Sequence, residues 1–399
     1  MFERHLTPTL LRFASAFPVV AITGPRQSGK TTLSRAVFPN KPYVSLEDPT
    51  ERAFAQEDPR GFLNRYPHGA IFDEAQRWPD LFSHLQGMVD ADRSVGRFVL
   101  TGSQQFGLLS GVTQSLAGRV GMTRLLPLSL AELPALIRDT RSVDHLMLQG
   151  GYPELCSQLH LPTDWFASYV ATYVERDVRQ VLNVQNASSF QRFLRLCAGR
   201  TGQLLNLSAL AGEAGITHST ARAWMSILEA SDLIYLLPPY HRNFGKRVVK
   251  SPKLYFIDVG LACWLLGIRD SNVLALHPLR GALFETLVVS EFLKIRMNAG
   301  LPSDLYFWRD NNGLEADLLF EHANQLQIIE IKSGQTVTPD YIRAGQKSAR
   351  FAGLEALPPW LIYGGDESYL RSGLRVIGWR DIHSLTQINL LSEQTEKDK

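Results

Sequence analysis

Eight residues near the start of the chain, Gly24, Pro25, Arg26, Gln27, Ser28, Gly29, Lys30 and Thr31, leave little freedom in how the segment around them folds. Their glycine, lysine and hydroxyl spacing is that of a phosphate-binding loop, which works only between a strand and a helix. Both neighbours have the required pattern. Phe17, Pro18, Val19, Val20, Ala21, Ile22 and Thr23 form a short apolar run, and Thr31, Thr32, Leu33, Ser34, Arg35, Ala36 and Val37 read as the helix that follows. The glycines let backbone N–H groups curl around phosphates, and the helix N-terminus adds a favourable dipole. Lys30 is then expected on the β- and γ-phosphates of ATP and Thr31 on Mg²⁺, with residues 24–32 as the nucleotide-contacting set.

A loop of this kind needs an acidic partner downstream. Gly69, Ala70, Ile71 and Phe72 lead into Asp73 and Glu74, the Walker B pattern, in which Asp73 serves the Mg²⁺ shell and Glu74 orients the attacking water. A third apolar run, Phe98, Val99 and Leu100, ends in Thr101, Gly102, Ser103 and Gln104. AAA-like ATPases keep a γ-phosphate sensor at such a strand end, and Ser103 is the candidate. Arg119 is a candidate for neutralising transition-state charge, within the subunit or across an interface.

The chain has 399 residues, 45% of them hydrophobic, which favours two or three domains. With a formal charge of +2, any nucleic-acid affinity must come from local patches. The three cysteines, Cys156, Cys197 and Cys263, have neither metal-ligand spacing nor a disulfide framework, and no haem motif accompanies them. No segment approaches the roughly eighteen apolar residues of a membrane span, and the first residues lack the apolar run of a signal peptide. A cytoplasmic, non-membrane protein is expected.

In the middle of the chain, Leu207, Leu210, Ala211 and Ala214, then Ala221, Trp224, Met225 and Leu228, follow helical spacing on either side of Gly215. Two short helices joined by a tight turn are predicted, with His218, Ser219 and Arg222 near the start of the second, where a recognition helix meets DNA. A strand at 233–237 and a basic stretch holding Arg242, Lys246, Arg247 and Lys250 complete a winged helix-turn-helix. A lid or subunit contact would have the same sequence pattern.

Toward the C-terminus, Phe284, Leu287, Val288 and Phe292 mark a helix, with Glu285 beside its apolar stripe. Strand-like segments follow at 305–308, 316–320 and 326–332. Alternation puts Glu330 and Lys332 on one face, and a hairpin can set Asp317 beside them. Glu285, Asp317 and Glu330 are candidate ligands for Mg²⁺ or Mn²⁺, and Lys332 is a candidate for positioning water or developing charge. A plain ion pair between Glu330 and Lys332 is the simpler alternative.

The spacing resembles the D…ExK signature of restriction-endonuclease-like, or PD-(D/E)XK, nucleases. Glu285 matches the additional helix acid of resolvase members, although Ala316 stands where the name has proline. Taken whole, the chain resembles the bacterial and archaeal family of AAA-like ATPases carrying a C-terminal domain of unknown function with that fold. The likeness also covers Gly150, Gly151, Tyr152 and Pro153, the stretch Tyr173 to Val178, and Leu254 to Leu261.

The resemblance implies an α/β chain: a P-loop AAA-like ATPase domain (1–145), a helical linker or lid (146–200), a winged helix-turn-helix (201–260), a nuclease-like domain (261–390) and a tail (391–399). It implies an oligomeric, Mg²⁺-dependent ATPase that acts on DNA. The alternative is a nucleotide-dependent switch or DNA-binding regulator whose C-terminal domain recognises a partner without cutting.

Overall fold

The computed structural model describes residues 2–102, 115–157, 160–174, 187–240, 249–310, 314–322, 325–350 and 357–385. Ser103, Gln104, Arg176, Arg179, Arg242, Lys246, Arg247 and the tail at 391–399 lie outside the described residues. The chain forms two compact units. One holds Met1–Pro127 with Ala230–Asp232 and Arg296–Pro302, and the other holds the remainder. The continuous part of the first unit runs to Pro127, and most of the expected lid, helix-turn-helix and C-terminal segments lie in the second.

In the first unit, helix α1 (Thr7–Ala14) precedes β1 (Val19–Thr23), and α2 (Lys30–Val37) follows the glycine loop. Strands β2 (Tyr43–Ser45), β3 (Ile71–Asp73), β4 (Phe98–Gly102) and β5 (Val120–Arg124) join β1 in a parallel sheet of order β2-β3-β4-β1-β5. Every residue of β1 and of β4 is buried, as a parallel sheet covered on both faces demands. Alternation divides β1 between two cores. Val19 and Ala21 face Phe62, Phe72, Trp78 and Phe98, while Val20 and Ile22 face Leu10, Leu33 and Val99. Because β4 lies between β1 and β3, its C-terminal end sits between the glycine loop and Asp73.

In the second unit, α3 (Ala187–Ala198) packs on α4 (Leu207–Ala214), and Trp224 of α5 (His218–Ala230) meets Phe190 and Phe193 edge-on at 5.3 and 5.4 Å. Gly215 ends α4 in the left-handed region at φ 70°, and the Thr217 hydroxyl accepts from Thr220 N–H at the start of α5. Strands β6 (Gln203–Leu204), β7 (Ile234–Leu237) and β8 (Lys253–Phe256) make an antiparallel sheet of order β6-β8-β7.

The Gly150-Gly151 turn and Asp258 belong together. Asp258 accepts from Gly151 N–H at 2.7 Å and caps helix α6 (Val259–Leu265) through Leu261 N–H at 2.9 Å. Gly150 has φ 73°, and a Cβ there would stand 2.5 Å from the Asp258 carboxylate.

Helix α7 (Arg280–Ala299) leads into a six-stranded mixed sheet of order β13-β14-β12-β11-β10-β9. Its strands are β9 (Tyr306–Arg309), β10 (Glu315–His322), β11 (Gln325–Lys332), β12 (Trp360–Tyr363), β13 (Tyr369–Arg371) and β14 (Leu374–Gly378), with α8 (Pro339–Arg350) between β11 and β12. β9, β10 and β11 pair antiparallel, whereas β11, β12 and β14 run parallel. Among the described residues no helix is long and apolar enough to cross a membrane.

Candidate nucleotide site and carboxylate–lysine cleft

The glycine loop is held in a shape that requires glycine at its first position. Gly24 has φ 144°, and a Cβ on it would stand 2.1 Å from the Leu125 carbonyl oxygen. Gln27 adopts φ 61°, Gly29 φ 95°, and α2 begins at Lys30. The Lys30 ammonium is buried and donates to the carbonyls of Gly24 at 2.9 Å and Pro25 at 2.8 Å. Burial pulls its pKa down, against the opposing pull of Glu74 and Asp73. Among the described residues neither Ser28 Oγ nor Gln27 Oε1 has a hydrogen-bond partner, and the buried Ser28 hydroxyl is a donor that a phosphate could use. Arg4 braces the loop from outside, donating to Ser28 O at 2.8 Å and to Leu126 O at 2.6 Å.

Asp73 lies at the end of β3, where three hydroxyls converge on it. Thr31 Oγ1 donates at 2.9 Å and Tyr43 Oη at 2.7 Å, and Thr101 Oγ1 completes the set. Neighbouring hydroxyl and carboxylate oxygens at a loop lined with phosphate donors are the ligand chemistry Mg²⁺ prefers, so Thr31 and Asp73 fit that ion. Glu74 follows at φ 54°, with its carboxylate accepting from Gln76 Nε2. Among the expected contacts Thr32 is exposed. Thr101, two residues before the expected Ser103, is the β4 side chain that touches Asp73.

Arg119 requires a correction. β1 and β5 pair in parallel with Val19 opposite Val120 and Thr23 opposite Arg124, so Arg119 is at the strand end away from the loop, roughly 16 Å from Arg124 along the strand. There it forms a two-pronged pair with Asp90, at 2.7 and 2.9 Å. A role for Arg119 at the phosphates of its own chain is excluded by the sheet. The cation on β5 near the loop is Arg124, paired with buried Asp232.

In the second unit the β10–β11 ladder runs to the Leu318–Ile329 pair, which brings Asp317 beside Glu330. Lys332 Nζ lies 2.6 Å from Glu330 Oε1 and 3.4 Å from Asp317 Oδ2, and Asp317 Oδ2 also accepts from Ile331 N–H at 2.8 Å. Glu285, on α7, joins the group through residues the sequence reading did not select. Lys253 of β8 lies 2.9 Å from Glu285 Oε1 and also pairs with Glu315, while the Tyr255 hydroxyl donates to Glu285. Glu315 and Asp317 share a face by the same alternation that unites Glu330 with Lys332. These groups line an open cleft of about 690 Å³ with Arg309 and Lys347 on its wall.

Burial lifts the Glu330 carboxyl to about 7, with Asp317 adding to the effect and Lys332 opposing it. Burial likewise raises Glu285. Burial opposes the Lys332 ammonium, but Asp317 and Glu330 outweigh it and raise its pKa. Among the described residues no three His, Cys, Asp or Glu side chains are arranged to hold a metal ion. Amines of Lys253 and Lys332 lie between the acids instead. One feature nonetheless fits a hard cation: Glu330 is 6% exposed, and among the described residues its Oε2 has no hydrogen-bond partner.

His218, Ser219 and Arg222 are exposed along the first turns of α5, and Lys250 is exposed ahead of β8.

Residues 16–134 match the AAA domain family, residues 140–272 a domain of unknown function (DUF8612), and residues 280–382 another (DUF4143). Uncharacterized protein Rv2008c of Mycobacterium tuberculosis and Uncharacterized protein Mb2031c of Mycobacterium bovis are each 34% identical to this chain over 346 residues, covering 86% of it and 76% of their own length. Among solved structures, the Walker-type ATPase PABY2304 of Pyrococcus abyssi is 16% identical, covering 66% of this chain and 96% of that one, with a TM-score of 0.46. AMPPCP-bound DnaA from Aquifex aeolicus is 14% identical, covering 56% and 85%, with a TM-score of 0.30. At those scores the structural likenesses carry no further argument.

Proposed function

The chain belongs to the family of the two mycobacterial proteins, with a P-loop AAA-like ATPase domain ahead of two domains of unknown function, and from that premise we propose a Mg²⁺-dependent ATPase that acts on DNA and binds or cuts it in the carboxylate–lysine cleft. Hydrolysis of ATP is assigned to the first unit. Lys30 would hold the β- and γ-phosphates, Thr31 and Asp73 would hold Mg²⁺, and Glu74 would orient the water. A homo-oligomer in which Arg119 reaches a neighbouring chain's phosphates is part of this reading.

Two features support DNA as the partner. The α4–turn–α5 pair with the β6-β8-β7 sheet has the element order of a winged helix, and the basic side chains at the start of α5 are exposed. Helix α7, the β9–β10–β11 meander, α8 and parallel β12 follow the order of a restriction-endonuclease-like core.

The observation that carries the cleft reading is the unpartnered, buried Glu330 Oε2. Asp317 and Glu330 would hold Mg²⁺ or Mn²⁺, which supplies a charge to stabilise the phosphate and lowers the pKa of bound water. Lys332 would position the attacking water against the scissile phosphorus. The new P–O bond would form as the P–O bond to the leaving strand breaks, the attacking water giving up a proton to solvent and the leaving oxygen taking one from solvent.

The test is cleavage of single-stranded, duplex and four-way-junction DNA with Mg²⁺ or Mn²⁺, with and without ATP, using wild type, Lys30→Ala and Lys332→Ala. Cutting that disappears in Lys332→Ala establishes the nuclease. The ion pairs from Lys253 and Lys332 to the acids favour a second reading, a switch that binds DNA without cutting. Its outcome is DNA-stimulated ATP turnover with no cutting under any condition.

A further inference from the structure

The cleft contains a second buried lysine whose position suits a cation site. We infer that Lys253 is a built-in cation that occupies Glu285 and Glu315, so that the cleft takes one divalent ion, at Asp317 and Glu330, rather than two. This rests on the restriction-endonuclease-like reading of the cleft.

The two lysines differ in kind. Lys253 has a side chain only 4% exposed, and its ammonium bridges the α7 acid Glu285 and the β10 acid Glu315. The Phe307 ring lies 5.5 Å from that ammonium, and Tyr255 fixes Glu285 from the other side. Withdrawing Lys253 would leave Glu285 facing Glu315 with only the more exposed Arg309, 3.4 Å from Glu315, as counter-charge, so the ammonium is held in place by the charges it neutralises. Lys332 is 29% exposed and stands at the open side, where its flexible stem can swing away.

The acids are correspondingly of two kinds. The pair held by Lys253 has its charge compensated by a group that cannot leave. The other pair is under-satisfied: Glu330 Oε2 has no partner although Glu330 is 6% exposed. A carboxylate oxygen buried without a donor is costly, and a divalent ion bound there would remove that cost. Two-metal sites set their ions about 3.5–4 Å apart between shared carboxylates. Here a lysine ammonium stands where the second ion would need Glu285 and Glu315. The same arrangement accounts for the lack, among the described residues, of a three-acid metal-holding group.

The experiment counts Mn²⁺ ions bound per chain by equilibrium dialysis. It uses the full-length, nucleotide-free protein carrying Asp73→Asn to blank the nucleotide site. The expected result is one ion, lost in Glu330→Gln, and two in Lys253→Met, where the electron paramagnetic resonance spectrum becomes that of an exchange-coupled pair. Two ions already present with Lys253 intact overturn the inference, and that count needs no lysine variant to fold. A Lys253→Met protein that keeps its circular dichroism and binds one ion also overturns it, while leaving the cleft reading in place. No ion in any version overturns both.

Discussion

The Thr101 hydroxyl donates to Asp73 across the C-terminal ends of β4 and β3, so the strand between the phosphate loop and the Walker B acid has a direct hold on that acid. With Thr31 and Tyr43 it fixes the direction in which the carboxylate points. A change at the end of β4 thereby reaches the carboxylate proposed to hold Mg²⁺.

Thr101→Val keeps the side chain's shape and removes the donor. A hydrogen bond to a charged group contributes about 1.5–3 kcal/mol, so kcat for ATP hydrolysis should fall roughly 10- to 100-fold. Phosphate release measures it, with the melting temperature as the control for folding. An unchanged kcat would show that Asp73 is held well enough by the other two hydroxyls.

Arg4→Ala removes two donors that brace the loop, at Ser28 O and Leu126 O. The loop then loses preorganisation, and the Kd for ATP should rise about tenfold, equivalent to about 1.4 kcal/mol. Fluorescent-nucleotide titration reads this directly. Equal affinity in the two proteins would make Arg4 a purely structural contact.

Arg119→Ala should leave nucleotide affinity within about twofold, because Arg119 lies roughly 16 Å along the strand from the end nearest its own loop. Turnover should nevertheless fall if chains share sites. Mixing Arg119→Ala with Lys30→Ala protein then restores activity, since one partner supplies the loop and the other the arginine. Mixtures as inactive as their components would remove Arg119 from the chemistry.

Although Glu330 is paired with Lys332, burial outweighs that partner and makes stability depend on pH in the direction opposite to an acid whose pKa its partner lowers. The Glu330 carboxyl is raised from 4.5 to about 7, so the folded chain holds a proton that the unfolded chain releases. The contribution is complete below pH 4.5 and is lost as pH rises through 7. That interval corresponds to roughly 3 kcal/mol at most. Urea unfolding in chelator should therefore show wild type losing stability between pH 5 and pH 8, about the range of this titration, with Glu330→Gln giving a flatter profile. Parallel profiles would contradict the assignment.

The parts of the molecule legible in its sequence are those whose chemistry is contiguous. The loop from Gly24 to Thr31 and the acids after Phe72 each occupy a few adjacent residues, and alternation alone paired Glu330 with Lys332. The contact of Thr101 with Asp73 is not legible because a strand end does not announce which of its hydroxyls turns toward the neighbouring strand. Arg4 and Lys253 were invisible for another reason. Arg4 acts on carbonyls 24 and 122 residues away, and Lys253 read as the end of a solvated basic stretch although it is 3% exposed. Burial of a charge is set by tertiary partners, and composition does not record it. Glu315, by contrast, could have been found from its two-residue offset to Asp317.

The bond from Gly151 N–H to Asp258 joins positions 107 residues apart. Translation adds about 5–20 residues each second, so during synthesis the glycine turn waits roughly 5–20 s before its acceptor is even made. The helices encoded in between must spend that interval with their apolar stripes uncovered or packed only on one another. Closure of this turn onto its acceptor thus follows the growing chain, after every helix encoded between Gly151 and Asp258 has been made.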